Sequence, residues 1–157
     1  NLPTQPAPAD VLLVRHGQTF TNTLEVFQGL GEGELTPLGL RQAQTVADRL
    51  AGWQPPITRV VSSPLRRAMQ TAEVIGRALA LQPTPLEDLR ECNFGEVSGL
   101  TPPEVEARFP GIVKRWVHTR DEGFCWPEGE SHEGFSARVR GALARIVRQA
   151  AWRWLRR

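Results

Sequence analysis

The sequence predicts an α/β domain of three layers, a mainly parallel sheet with helices on both faces. Three observations carry this. Val11-Leu12-Leu13-Val14 is an apolar run, β-branched at both ends, that reads as a strand buried on both faces and stops at Arg15-His16-Gly17. Two stripes of apolar residues at helical spacing flank a short β-branched run at 58–62, the strand, helix, strand order of a right-handed parallel unit. At 157 residues the chain fits one domain, expected to span 11–157 behind a flexible leader at 1–10 that holds three prolines.

Each element follows from local signals. Between His16 and Gly33 four glycines and scattered polar residues mark a long loop at the strand's carboxyl edge, where open α/β sheets bind ligands. Thr36-Pro37 supplies an N-cap and a first-turn proline, and Ala43, Val46, Ala47 and Leu50 form the apolar stripe of the helix that follows. Gly52 to Pro56 break it. After the strand at 58–62, Ser63-Pro64 starts a helix whose apolar face is Ala68, Ala72, Ile75 and Leu79, which puts Arg67 near the edge of that face. A third strand is expected at 83–86. Thr101-Pro102-Pro103-Glu104 reads as a capping box for a short helix to about Phe109, another short helix is expected around 113–117, and Phe135, Val139, Ala142, Ile146 and Ala150 mark a last amphipathic helix.

Composition narrows the classes. Nineteen Lys and Arg against seventeen Asp and Glu leave +2, too little to imply nucleic acid on charge alone. No apolar run approaches the length that spans a bilayer, so no membrane insertion is expected. Cys92 and Cys125 stand in no metal-ligand spacing, and with no signal segment before the first strand we expect reduced thiols in a cytoplasm and no metal site. Seven arginines between Arg138 and Arg157 make the end of the chain basic. Trp152, Trp154 and Leu155 among them are read as a terminal helix face covering sheet rather than as a nucleic-acid or membrane contact.

The chemistry gathers at the end of the first strand. Arg15-His16-Gly17, Thr19 and Asn22 form the pattern R-H-G-x-T-x-x-N, and further blocks follow in order: Leu35-Thr36-Pro37-Leu38-Gly39 with Gln42-Ala43, Ser62 to Ala72, Leu89-Arg90-Glu91 with Phe94-Gly95, and Gly129-Glu130-Ser131. Together they resemble the histidine phosphatase superfamily, which includes the phosphoglycerate mutases. The resemblance runs from about Val11 to Val139 and implies a phosphoglycerate mutase-like fold.

Phosphoryl transfer needs an in-line nucleophile, cations around the equatorial oxygens and an acid for the leaving oxygen. The resemblance implies His16 as the nucleophile, passing through a phosphohistidine, and Glu91 as the proton donor, a role that partial burial of its carboxyl would serve. Arg15 and Arg67 are the implied phosphate clamp, with Asn22 and Thr19 lining the site; Arg66 is a rim residue. Guanidinium charge makes a metal unnecessary and no cofactor is expected, and the same cations should keep His16 unprotonated near neutral pH. His118 and His132 are expected to be structural or exposed, Cys92 a small buried side chain, and Trp116 and Trp126 core or lid packing.

The resemblance also implies a second active-site histidine on a late strand. After Ile146 the sequence holds no apolar run followed by His, so the chain reads as C-terminally shortened, with the strand at 11–14 left partly unpaired and part of the core open. Exchange of such a strand with a second copy would make a homodimer. The expected function is hydrolysis of small phosphomonoesters, weakened by the missing histidine. The alternatives are a non-catalytic phosphoester-binding module and a mutase-type phosphoryl transferase.

Overall fold

A computed structural model describes residues 10–118 and 123–154. The order is α1 (Phe20–Thr23), α2 (Pro37–Ala51), β1 (Val61–Ser62), α3 (Arg66–Leu79), β2 (Thr84–Pro85), 3-10 turns at Glu87–Leu89 and Gly95–Val97, α4 (Pro102–Arg108), α5 (Ile112–His118) and α6 (His132–Trp154). The fold is α/β with a small parallel sheet. β1 pairs with β2 in register Val61 to Thr84 and Ser62 to Pro85, with α3 as the crossover.

Helices form where the local signals put them. Thr36 Oγ1 accepts from Gly39 N–H at 3.0 Å, capping α2 with Pro37 in its first turn. The Glu104 carboxylate accepts from both Thr101 N–H and its hydroxyl, each at 2.7 Å, closing the box that starts α4. α2 and α3 pack through Ala43, Ala47, Leu50, Val74 and Ile75. A second core gathers Cys92, Val97, Val105, Ile112, Phe124 and Trp126, with Phe27 and Phe94 against it. Trp126 is therefore a core residue, while Trp116 meets Phe27, Phe94 and Trp126 from the surface side.

The expected first strand is the main correction. Val11, Leu12, Leu13 and Val14 join no ladder among the described residues and are between 39% and 80% exposed. A strand is completed by backbone partners from elsewhere in the fold, and β1 gives its ladder to β2 alone. The pairing that does follow is one antiparallel bridge from Thr19 to Leu35, flanked by Thr36 N–H to Gln18 O at 2.9 Å. The strands expected at 58–62 and 83–86 shorten to two residues each for the same reason.

Arg67 also differs from expectation. It sits inside the buried face of α3, 3% exposed, while Ala68 is half-buried. The leader at 1–9, residues 155–157 and the side chains from Ala150 onward lie outside the described residues, so the expectation for the tryptophan-bearing tail does too. Among the described residues no helix is long and apolar enough to cross a membrane.

Candidate active site

The segment Arg15 to Thr19 lies between the first turn of α2 and the first turns of α3, held by backbone contacts. Gly17 N–H donates to Thr71 Oγ1 at 3.1 Å, and the Thr71 hydroxyl donates to Arg67 O at 2.9 Å. Gly17 and Gly39 let the two backbones touch: a Cβ on Gly17 would stand 2.3 Å from Gly39 O, and one on Gly39 would stand 2.1 Å from Gln18 O. Thr71 is thus a site residue that the sequence reading passed over. Its place four residues after Arg67, on the same helix face, was the available signal.

His16 Nδ1 lies 2.8 Å from Gly17 O. A carbonyl only accepts, so Nδ1 carries the proton and Nε2 of the neutral ring keeps its lone pair. The His16 pKa is lowered from the ordinary imidazole value, by burial first and then by the charges of Arg67 and Arg15, against the opposing effects of the Gly17 carbonyl and Glu91. The expectation had named cations as the cause. Burial contributes more.

Arg67 is folded under the site. Its Nη1 donates to Gly31 O and its Nη2 to Gly29 O, both at 2.9 Å, pinning the 29–31 loop to α3. Burial lowers its pKa, with Glu91 and Glu32 opposing. Asn22 and Thr19 form a reciprocal pair: Thr19 N–H donates to Asn22 Oδ1 and Asn22 N–H to Thr19 Oγ1, each at 3.0 Å. Thr19 is 0% exposed, so its hydroxyl caps α1 rather than lining the site, which corrects the expectation. The Asn22 amide retains its Nδ2 donors.

A cleft of about 550 Å³ opens beside this segment, lined by Arg15, His16, Gln18, Asn22 and Gln42 with Ala43 and Val46 at its floor. The structure therefore brings Arg15, His16 and Asn22 together in the lining of one cleft. Arg67 and Glu91 do not line the cleft, yet their charges act on His16. Glu91 is exposed, contrary to the expected partial burial, and its Oε1 accepts from Cys92 N–H at 2.8 Å. Cys92 is buried as expected. Arg66 does not line the cleft and makes a 2.6 Å ion pair with Glu34 in which both side chains are more than half exposed. Among the described residues no histidine other than His16 lines the cleft, and no group of three or more His, Cys, Asp or Glu is placed to hold a metal ion.

Comparison with known proteins is consistent with this geometry. The model of the histidine phosphatase superfamily (branch 1) matches residues 11–155. A bifunctional protein of Mycobacterium tuberculosis is 40% identical over 140 residues, covering 89% of this chain and 38% of that protein. A Yersinia pestis protein named probable phosphoglycerate mutase is 38% identical over 138 residues, covering 85% of this chain and 60% of that protein. Among solved structures, a mycobacterial glucosyl-3-phosphoglycerate phosphatase in complex with VO3 superposes with TM-score 0.77 at 36% identity, covering 85% of this chain and 62% of the other. The α-ribazole phosphatase of Shigella flexneri gives 0.72 at 27% identity, covering 85% and 64%. The chain thus spans less than two thirds of the length of these relatives.

Proposed function

The chain belongs to branch 1 of the histidine phosphatase superfamily, and from that premise we propose that it hydrolyses small phosphomonoesters with His16 as nucleophile. The observation that carries this reading is the imidazole itself, its Nδ1–H held on Gly17 O and its protonation opposed by burial and two arginines, which leaves Nε2 available for attack. Nε2 forms a bond to phosphorus as the bond to the leaving oxygen breaks, and Glu91 gives that oxygen its proton. Water then displaces the imidazole, the P–N bond breaks, and Glu91 takes back a proton as inorganic phosphate leaves.

Arg15 and the Asn22 amide orient the equatorial oxygens, Arg67 adds positive charge from outside the cleft lining, and Thr19 fixes Asn22. With the charge balanced by guanidinium groups, the reaction needs no metal ion. The reading extends the β1–β2 ladder to a three-layer sheet and takes the two free thiols as signs of a cytoplasmic setting. The phosphatases among the solved relatives support hydrolysis, and the relative named as a mutase supports phosphoryl transfer as the alternative chemistry.

A second reading is a non-catalytic phosphoester-binding module, since among the described residues the cleft is lined by no histidine besides His16. The deciding measurement is steady-state hydrolysis of p-nitrophenyl phosphate in EDTA by the parent and by His16→Ala, with phosphate affinity measured in parallel. Turnover that disappears in the variant supports catalysis, at a rate lowered about 100-fold by each missing phosphate donor. Turnover surviving His16→Ala removes His16 as nucleophile. No turnover in either protein, with affinity weakened by the substitution, establishes the binding module.

A further inference from the structure

Among the described residues the Glu91 carboxylate accepts one hydrogen bond, from the backbone N–H of the next residue, so its placement depends on the loop that carries it. That loop is held from outside. Arg138 on α6 reaches across with Nη1 donating to Arg90 O at 2.9 Å and Asp88 O at 3.0 Å, while Nε and Nη2 fork onto the two carboxylate oxygens of Glu130 at 3.0 and 2.7 Å. Glu130 grips the other side of Glu91, its N–H donating to Asn93 O at 2.8 Å and its Oε2 accepting from Asn93 N–H at 3.4 Å. Arg145 adds an ion pair to Asp88.

Both side chains of the fork are about four-fifths covered, at 21% and 22% exposure, and their mutual hydrogen bonds raise the Arg138 pKa and lower that of Glu130. One guanidinium satisfies a carboxylate and two carbonyls at once, which a lysine ammonium without the planar fork does not reproduce.

We propose that Arg138, forked on Glu130, is a positioning residue that fixes the 88–93 loop and with it the Glu91 carboxylate. The proposal rests on the reading of Glu91 as proton donor. It makes two separate demands, one on the loop and one on the chemistry.

The loop is tested through its own buried residue Cys92, whose thiol is pushed up to about 12 by burial first and then by Glu130 and Glu91. In a Cys125→Ser background, Arg138→Ala is expected to speed modification of Cys92 by a disulfide reagent about 10-fold or more, with Arg138→Lys intermediate; Arg138→Gln is the second variant where Arg138→Ala does not fold. The chemistry is tested by comparing an alkyl phosphate with p-nitrophenyl phosphate. An alkoxide leaving group needs the proton and a nitrophenolate does not, so a displaced acid lowers kcat/KM, which reports the phosphorylation step alone, on the alkyl ester selectively, by about 10- to 100-fold, towards the ratio shown by Glu91→Gln. General loosening of the fold would lower both substrates alike.

An unchanged Cys92 rate in the fork variants overturns the proposal whether or not the protein turns over. A faster Cys92 with an unchanged substrate ratio, while Glu91→Gln does change it, overturns the positioning role. An unchanged ratio in Glu91→Gln, or no turnover in the parent, defeats the assignment of Glu91, and the thiol rate then decides the loop clamp alone.

Discussion

Gly17→Ala isolates the contact that holds His16 in place. The added Cβ would lie 2.3 Å from Gly39 O, 2.8 Å from its carbonyl carbon and 2.9 Å from its Cα, where real Cβ atoms stay beyond 3.0 Å. The shortfall is therefore about 0.7 Å, and both neighbours are backbone. Gly39 is buried in the capped first turn of α2 and cannot rotate aside, so the 15–18 segment moves outward, away from Thr71 Oγ1. Overpacking of this kind costs about 1–3 kcal/mol, and at about 2–4 °C per kcal/mol for a chain of this size the melting temperature should fall by roughly 2–12 °C. A displacement approaching 1 Å at the nucleophile costs up to about 100-fold in rate. Thermal melting by circular dichroism and a phosphate titration followed by NMR of His16 measure both effects. Gly52→Ala is the control, since a Cβ there meets nothing within 4 Å. Gly17→Ala melting within about 1 °C of the parent, with unchanged phosphate affinity, would falsify the claim that this close approach sets the position of His16.

Three further outcomes are expected. The three histidines of the chain can be followed separately by NMR, and His16 should titrate below the ordinary imidazole value of about 6.5; Arg67→Gln should move its midpoint upward, and a midpoint that stays put would remove the arginine from the site's electrostatics. Because the folded pKa is depressed, the unfolded chain takes up the proton first as pH falls, so the stability contributed by neutral His16 is complete above about 6.5 and is lost as pH drops towards the folded pKa. A urea midpoint that declines over that window in the parent, and declines less in His16→Asn, is the check. Thr71→Val, nearly isosteric, leaves the buried Gly17 N–H without its acceptor and should destabilise by about 1–3 kcal/mol in denaturant melts; a change under about 0.5 kcal/mol would mean that water or backbone replaces it. Arg67→Lys keeps the charge but not the two-carbonyl grip on Gly29 and Gly31, and phosphate affinity measured by calorimetry should fall about 10-fold or more, an equal affinity arguing against a clamp.

What could be read from the sequence is what local interactions decide. Thr36 and Pro37 start α2, Thr101 and Glu104 start α4, and the spacing of Ala43, Ala47 and Leu50 names the face that α2 buries, because a helix makes its hydrogen bonds within itself and its caps are a few residues away. The order of His16, Arg67 and Glu91 was legible because each sits in a short contiguous block of sequence that carries its own pattern. The tertiary structure decided the rest. Whether Val11–Val14 joins a ladder depends on a partner strand that nothing in its own sequence supplies. Thr19 is a cap because Asn22 answers it and because the surrounding chain closes over it. The loop of Glu91 is held by a guanidinium more than forty residues later in the chain, a contact with no periodicity to betray it. Burial, desolvation and long-range hydrogen bonds depend on what lies opposite a residue, and that is settled only when the chain has folded back on itself.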